Sequence, residues 1–219
     1  MRRGGNAAGG GGWNLFCAAR PGEFRDVVKW RGWIIAGLAL LPLAGQAADV
    51  ASKITVENFD ATRLGAAIFA ESNRVRRQHG RARLRDRAEL RAAADGQASA
   101  MAFQLRAVHT GPFTGQHSAW QRVERAGLEP EVVTENVSMI SVPTAASGES
   151  WGDDYGRLAA EIVRAWLDSP GHRQNLLSGE VTTMGCAARL ARVPAGPNRV
   201  FSAQVFCRPL SRSQAWVRE

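Results

Sequence analysis

The chain has 219 residues, 45% of them apolar and 22% charged. That is enough for one domain with a real core, and it excludes a chain that is disordered throughout. The formal net charge is +8, but no aromatic-interleaved basic patch accompanies it, which leaves no warrant for nucleic-acid binding. Up to Ala47 six basic and two acidic residues give a net of +4, so +4 remains for the rest. The many arginines read as a solvated helix surface, with attraction to an anionic envelope surface as the alternative.

Trp33 to Leu43 is an uncharged apolar run with basic residues before it and Ala44-Gly45-Gln46-Ala47-Ala48 after it. A short apolar core with a small-residue exit is the pattern of a secretory signal peptide, cleaved after Ala47. The run is too short for a comfortable transmembrane helix, which needs about 20 apolar residues, so an uncleaved anchor is the lesser reading. Residues 1–29 make a long Gly-rich front, and translation from Val27 or Val28 would leave a conventional basic one. The expected division is an extension with signal peptide (1–47), a linker (48–60), a folded domain (61–210) and a C-terminal tail (211–219).

In the domain, apolar residues at helical spacing predict a helix from Ala61 to Gln78, with Asp60 or Thr62 to cap it and Gly80 after it. A second helix is expected over Arg87 to Leu105 and a short third over Ala119 to Ala126. Residues 141–154 read as a surface loop, and Tyr155 to Leu167 as a fourth helix. Strands are expected at Thr183 to Arg189 and Val200 to Cys207, joined by a Pro-, Gly- and Asn-rich turn. Helices followed by an antiparallel hairpin give an α+β fold.

Between the fourth helix and the first of these strands lies Trp166-Leu-Asp-Ser-Pro-Gly-His-Arg-Gln-Asn-Leu-Leu177. Pro170 and Gly171 predict a fixed bend here with His172 at its tip. His109, Glu135, Ser169 and His172 are the polar groups expected beside breaks between elements. Two imidazoles and a carboxylate form a plausible set for zinc or another divalent cation, with water completing the shell. A buried hydrogen-bonded network is the other reading of the same residues. His79 and His117 read as exposed. Cys186 and Cys207 permit a disulfide in an exported chain, or stay as two buried thiols. The common hydrolase, zinc-protease, phosphate-loop and redox motifs are absent from the sequence.

Five pieces in order resemble the CAP superfamily of cysteine-rich secretory, antigen 5 and pathogenesis-related proteins, and within it the bacterial SCP-like branch. They are Asn73-Arg74-x-Arg76 with Gly80, His109-Thr110, Glu135-Asn136-Val137, the Trp166-to-Leu177 motif, and Gly185 with Gln204-Val205-Phe206. The resemblance implies an α-β-α sandwich with a small antiparallel sheet between helical layers. It also implies a cleft lined by two histidines and two acids. Carried over, these are His109, His172 and Glu135, while Ser169 stands where the second acid would fall and so weakens a four-ligand metal site.

The family resemblance implies a non-catalytic exported binding module whose ligand is a lipid or sterol, a divalent metal, or an envelope protein or polysaccharide. Phe113, Val132, Val133, Met139 and Ile140 could line an apolar groove, though core positions suit them as well. A hydrolase with Glu135 as base is the first alternative. Ser169 as a nucleophile with His172 as base is disfavoured, because no oxyanion donor set is evident. A structural envelope protein with a vestigial cleft is the second alternative.

Overall fold

The structure is a computed structural model that describes residues 54–142, 154–193 and 196–210. The signal-peptide and tail readings therefore lie outside the described residues, as does most of the expected 141–154 loop. The elements in chain order are α1 (Ala61–Gln78), β1 (Arg85–Asp86), α2 (Ala88–Gln104), α3 (Ala119–Arg125) and β2 (Pro130–Val142). They continue with α4 (Tyr155–Asp168), α5 (Pro170–Leu176), β3 (Thr183–Ala191) and β4 (Asn198–Pro209).

Local chemistry accounts for most of the helix ends. The Asp60 carboxylate accepts from the Thr62 and Arg63 amides at 2.9 and 3.0 Å and starts α1. Gly80 follows the end of α1 at φ +68, a conformation that suits glycine. Ser118 and Gln121 close a reciprocal capping box on α3, and Asp154 caps α4. In the stretch read as a linker, Ile54 and Val56 are buried.

The sheet order is β1-β3-β4-β2. The three longer strands are antiparallel, while the two-residue β1 pairs with β3 in parallel. Both faces are covered. On one, Leu64, Ile68 and Val75 of α1 and Ile162, Val163 and Trp166 of α4 pack with Met184, Cys186 and Phe206. On the other, Leu90, Ala94, Ala98 and Met101 of α2 and Val123 of α3 pack with Val137, Phe201 and Val205. This is an α+β fold, an α-β-α sandwich. Of the candidate groove residues, Val132, Val133, Met139 and Ile140 pack against these two cores.

Two expectations need correction. The bend forms at Ser169, but His172 is not at its tip. Ser169 is extended (φ −94, ψ 119) and ends α4, and Pro170 is the first residue of α5, where its missing N–H is not needed. His172 is thus a helical residue. Gly171 does not adopt a positive φ.

The disulfide is the second. Cys186 and Cys207 are both free and buried. Cys186 lies opposite Gln204 and Cys207 opposite Thr183, so the two thiols are three rungs apart and face opposite sides of the sheet. Three rungs are about 10 Å, beyond the reach of an S–S bond. Burial pushes the Cys186 thiol well up and the Cys207 thiol up to about 11, so both are protonated at neutral pH. Both are expected to resist alkylation in the native chain and to react once it unfolds. Recovery of a Cys186–Cys207 cross-linked peptide would overturn this.

Candidate functional site

The site is assembled around the free edge of β2. Successive carbonyls along one strand edge are two residues apart. Here Asn175 Nδ2 donates to the Glu135 carbonyl at 3.1 Å and Trp166 Nε1 donates to the Val137 carbonyl at 3.0 Å. The edge not used by β4 is therefore capped by side chains from α4 and α5, which blunts an exposed strand edge. Asn136 Nδ2 bonds the His172 carbonyl at 3.0 Å and Gln204 Oε1 at 3.2 Å, and Gln204 in turn donates to Ser72 Oγ of α1 at 2.6 Å. A buried polar relay thus ties α1 through β4 and β2 to the helix that carries His172. Buried networks of this kind are stabilising when their members find partners.

Glu135 points to the opposite face, into the α2/α3 layer. Its side chain is 4% exposed. Its Oε1 meets His109 Nδ1 at 3.1 Å and its Oε2 accepts from Arg122 Nη2 at 2.5 Å. Arg122 is just as buried, and it also donates from Nη1 to the Gln116 carbonyl at 2.9 Å. The carboxylate is therefore paired within the core, as a buried charge must be.

His109 lies in the loop after α2 with its side chain 56% exposed. Its ring centroid is 6.2 Å from that of His172. The two histidines approach each other from opposite layers, beside the β2 edge. Ser169 is buried at the α4–α5 junction and its hydroxyl does not cap α5. It makes no hydrogen bond to His109, Glu135 or His172 among the described residues. The structure brings His109, Glu135 and His172 together and leaves Ser169 beside them as a framework residue. His79 and His117 are exposed, each bonding a nearby backbone carbonyl.

One expectation about placement fails. Glu135 is not at a break between elements but midway along a 13-residue strand. Sequence reasoning missed Arg122, and it read Asn136, Asn175 and Gln204 as motif residues without assigning them a role.

Zinc or another divalent cation would need His109, His172 and Glu135 as a free donor set. Both carboxylate oxygens are engaged, one of them by a buried guanidinium whose charge opposes a cation. Among the described residues no three His, Cys, Asp or Glu side chains are grouped to hold a metal ion. The donor set as it stands does not fit a three-ligand metal.

Burial first, and the neighbouring His109 second, hold His172 below the usual imidazole pKa. The unfolded chain then takes up its proton more readily than the folded one. The contribution to stability is present above the unfolded value of about 6.5 and is lost as pH falls through it toward the lower folded value. The urea midpoint is expected to drop between pH 7 and pH 5, and His172→Gln is expected to reduce that drop. An unchanged pH dependence in the variant would contradict this.

Comparison with known proteins agrees with this fold. Residues 69–206 match the family model described as the cysteine-rich secretory protein family, CAP. No curated protein matches the chain. Among solved structures, an outer surface protein from Borrelia burgdorferi is similar at 16% identity and a TM-score of 0.51, covering 69% of this chain and 97% of its own. An extracellular protein containing an SCP domain from Bacillus anthracis matches at 23% identity and a TM-score of 0.49 over 68% of this chain, which spans 41% of that one. The family match takes in the first helix from Phe69, the Glu135 strand, the Trp166-to-Leu177 motif and the closing hairpin. With more than half of its length matched by the family model, the chain belongs to the cysteine-rich secretory protein (CAP) family.

Proposed function

We propose that the chain is an exported, non-catalytic binding module that takes a lipid- or sterol-class ligand at the His109–His172 pair, beside the capped β2 edge. The observation that carries this reading is the engagement of Glu135. A carboxylate bonded through both oxygens, one of them to a buried arginine, is a poor general base and a poor metal ligand. His172 and the outer nitrogen of His109 make no side-chain hydrogen bond among the described residues, so both remain free to meet a hydroxyl or carboxyl head group. Phe113, four residues beyond His109 in the same loop, is 46% exposed and lies tilted against Phe103, which is 77% exposed, at a centroid distance of 6.3 Å. Exposed aromatic rings on this loop and at the end of α2 offer apolar contact to a ligand with a polar end.

Export rests on the Trp33-to-Ala47 pattern. Among the described residues no helix is long and apolar enough to cross a membrane. The test is titration with a fluorescent long-chain fatty acid and a fluorescent sterol. Saturable one-to-one binding of either is expected. It should be weakened about tenfold or more by Phe103→Ser with Phe113→Ser, and also reduced by His172→Gln. No saturable binding by the wild type, or binding indifferent to these substitutions, would sink the proposal.

A further inference from the structure

The positive charge of the folded domain is concentrated. Residues 74–91 contain eight arginines and two acids, a net of +6 against +8 for the whole chain. The rest of the chain from Ala48 onward is therefore net negative. Four of the eight are accounted for. Arg74 pairs with Glu71, Arg87 with Glu89 and Arg91 with Asp86. Arg76 is buried and holds the Ala82, Leu176 and Ser178 carbonyls.

The other four, Arg77, Arg81, Arg83 and Arg85, are exposed and have no acidic partner among the described residues. Three occupy alternate positions of the segment that runs into β1. The residues between them are pinned. The Ala82 carbonyl accepts from Arg76 Nε at 2.9 Å, and Asn73 bonds both the amide and the carbonyl of Leu84, at 2.8 and 3.1 Å. Leu84 is buried between the exposed Arg83 and Arg85. The cations are thus held in a row by a rigid backbone, at about 6 to 7 Å per pair of residues where the segment is extended. Burial first, and repulsion from the nearby Arg81 second, lower the pKa of Arg76 beneath this row.

We propose that Arg77, Arg81, Arg83 and Arg85 form a docking surface for a flexible linear polymer that carries phosphate groups at regular intervals. Guanidinium forks match phosphate oxygens bidentately, and a row matches a chain better than a single ion. A bilayer fits less well, because the exposed large apolar residues of the described chain, Phe103, Phe113 and Trp120, all lie outside this stretch. Nucleic acid fits less well, because the row has no aromatic ring on which a base could stack.

The probe is long-chain inorganic polyphosphate, titrated into the full chain. Phosphatidylglycerol vesicles and single-stranded DNA of equal phosphate content are the comparison arms. Polyphosphate is expected to bind and to raise the melting temperature. Four phosphate contacts give a salt slope near −3, so affinity is expected to fall about 50-fold between 50 and 200 mM salt. Changing all four arginines to Gln is expected to abolish binding without lowering the melting temperature, since none of the four has an ion partner to lose. Arg74→Gln with Glu71→Gln, an ion pair on α1, is expected to leave binding within about twofold. Binding that survives the fourfold variant overturns the proposal, and so does tighter capture by vesicles or by DNA.

Discussion

Replacing Glu135 with Gln is expected to destabilise the domain by about 3 to 5 kcal/mol, measured as a fall in the urea midpoint at pH 7. The cost comes from what is left behind. Arg122 is 2% exposed in its side chain, and its Nε has no partner among the described residues. Without the carboxylate it would keep its charge in the core with only neutral acceptors to meet it, the Gln116 carbonyl and the new amide oxygen. A buried ion pair adds little over an apolar pair of similar volume, but breaking one side of it is severe. The double variant Glu135→Leu with Arg122→Met is therefore expected to recover most of the loss. A cost below about 1 kcal/mol for the single change would mean that the guanidinium reaches water.

Gly185→Ala is expected to cost about 3 kcal/mol or more, because α2 rests directly on β3 at this position. A methyl group there would lie 2.2 Å from the backbone carbon of Leu90 and the backbone nitrogen of Arg91. Main chain cannot rotate away as a side chain can, so the whole helix must move off the sheet. Leu90, Ala94 and Met101 would then lose their packing against Val205 and Phe201. Gly171→Ala is the control. A methyl at Gly171 meets nothing within 4 Å, and the residue is helical. That change is expected to be neutral or to stabilise by up to about 1 kcal/mol. Equal effects of the two substitutions, by thermal melting, would contradict the packing described for α2.

How far the sequence could be read depended on whether a residue's partner is local. α1 was legible over its whole length because Asp60 caps it and Gly80 ends it, signals that lie within the segment. The β3–β4 hairpin was legible from its apolar runs and turn. β2 was not. It is covered on both faces, which weakens the usual alternation, and Thr134, Glu135, Asn136 and Ser138 give its centre the look of a loop. Each of those polar residues faces a partner more than ten residues away or a buried layer, and nothing in the local pattern shows that. Arg122 was missed for the same reason: a buried acid demands a cation, but 28 basic residues offered one. Pro170 misled because the same residue that breaks a helix also starts one, and only Ser169 separates α4 from α5. That His109 and His172 would lie close together was legible from their places beside breaks and from motif resemblance, while the role of Asn175 as a clip on the strand edge needed the fold.

In the reading given above, Glu135 holds the core together rather than serving a metal or a reaction. Calorimetric titration of the wild-type chain with zinc, beside His172→Gln and Glu135→Gln, separates these roles. The expected result is no one-to-one zinc site that depends on Glu135, together with a marked loss of stability in the Glu135 variant alone. A stoichiometric zinc complex in the wild type, lost in both variants while the Glu135 variant stays as stable as the parent, would contradict it.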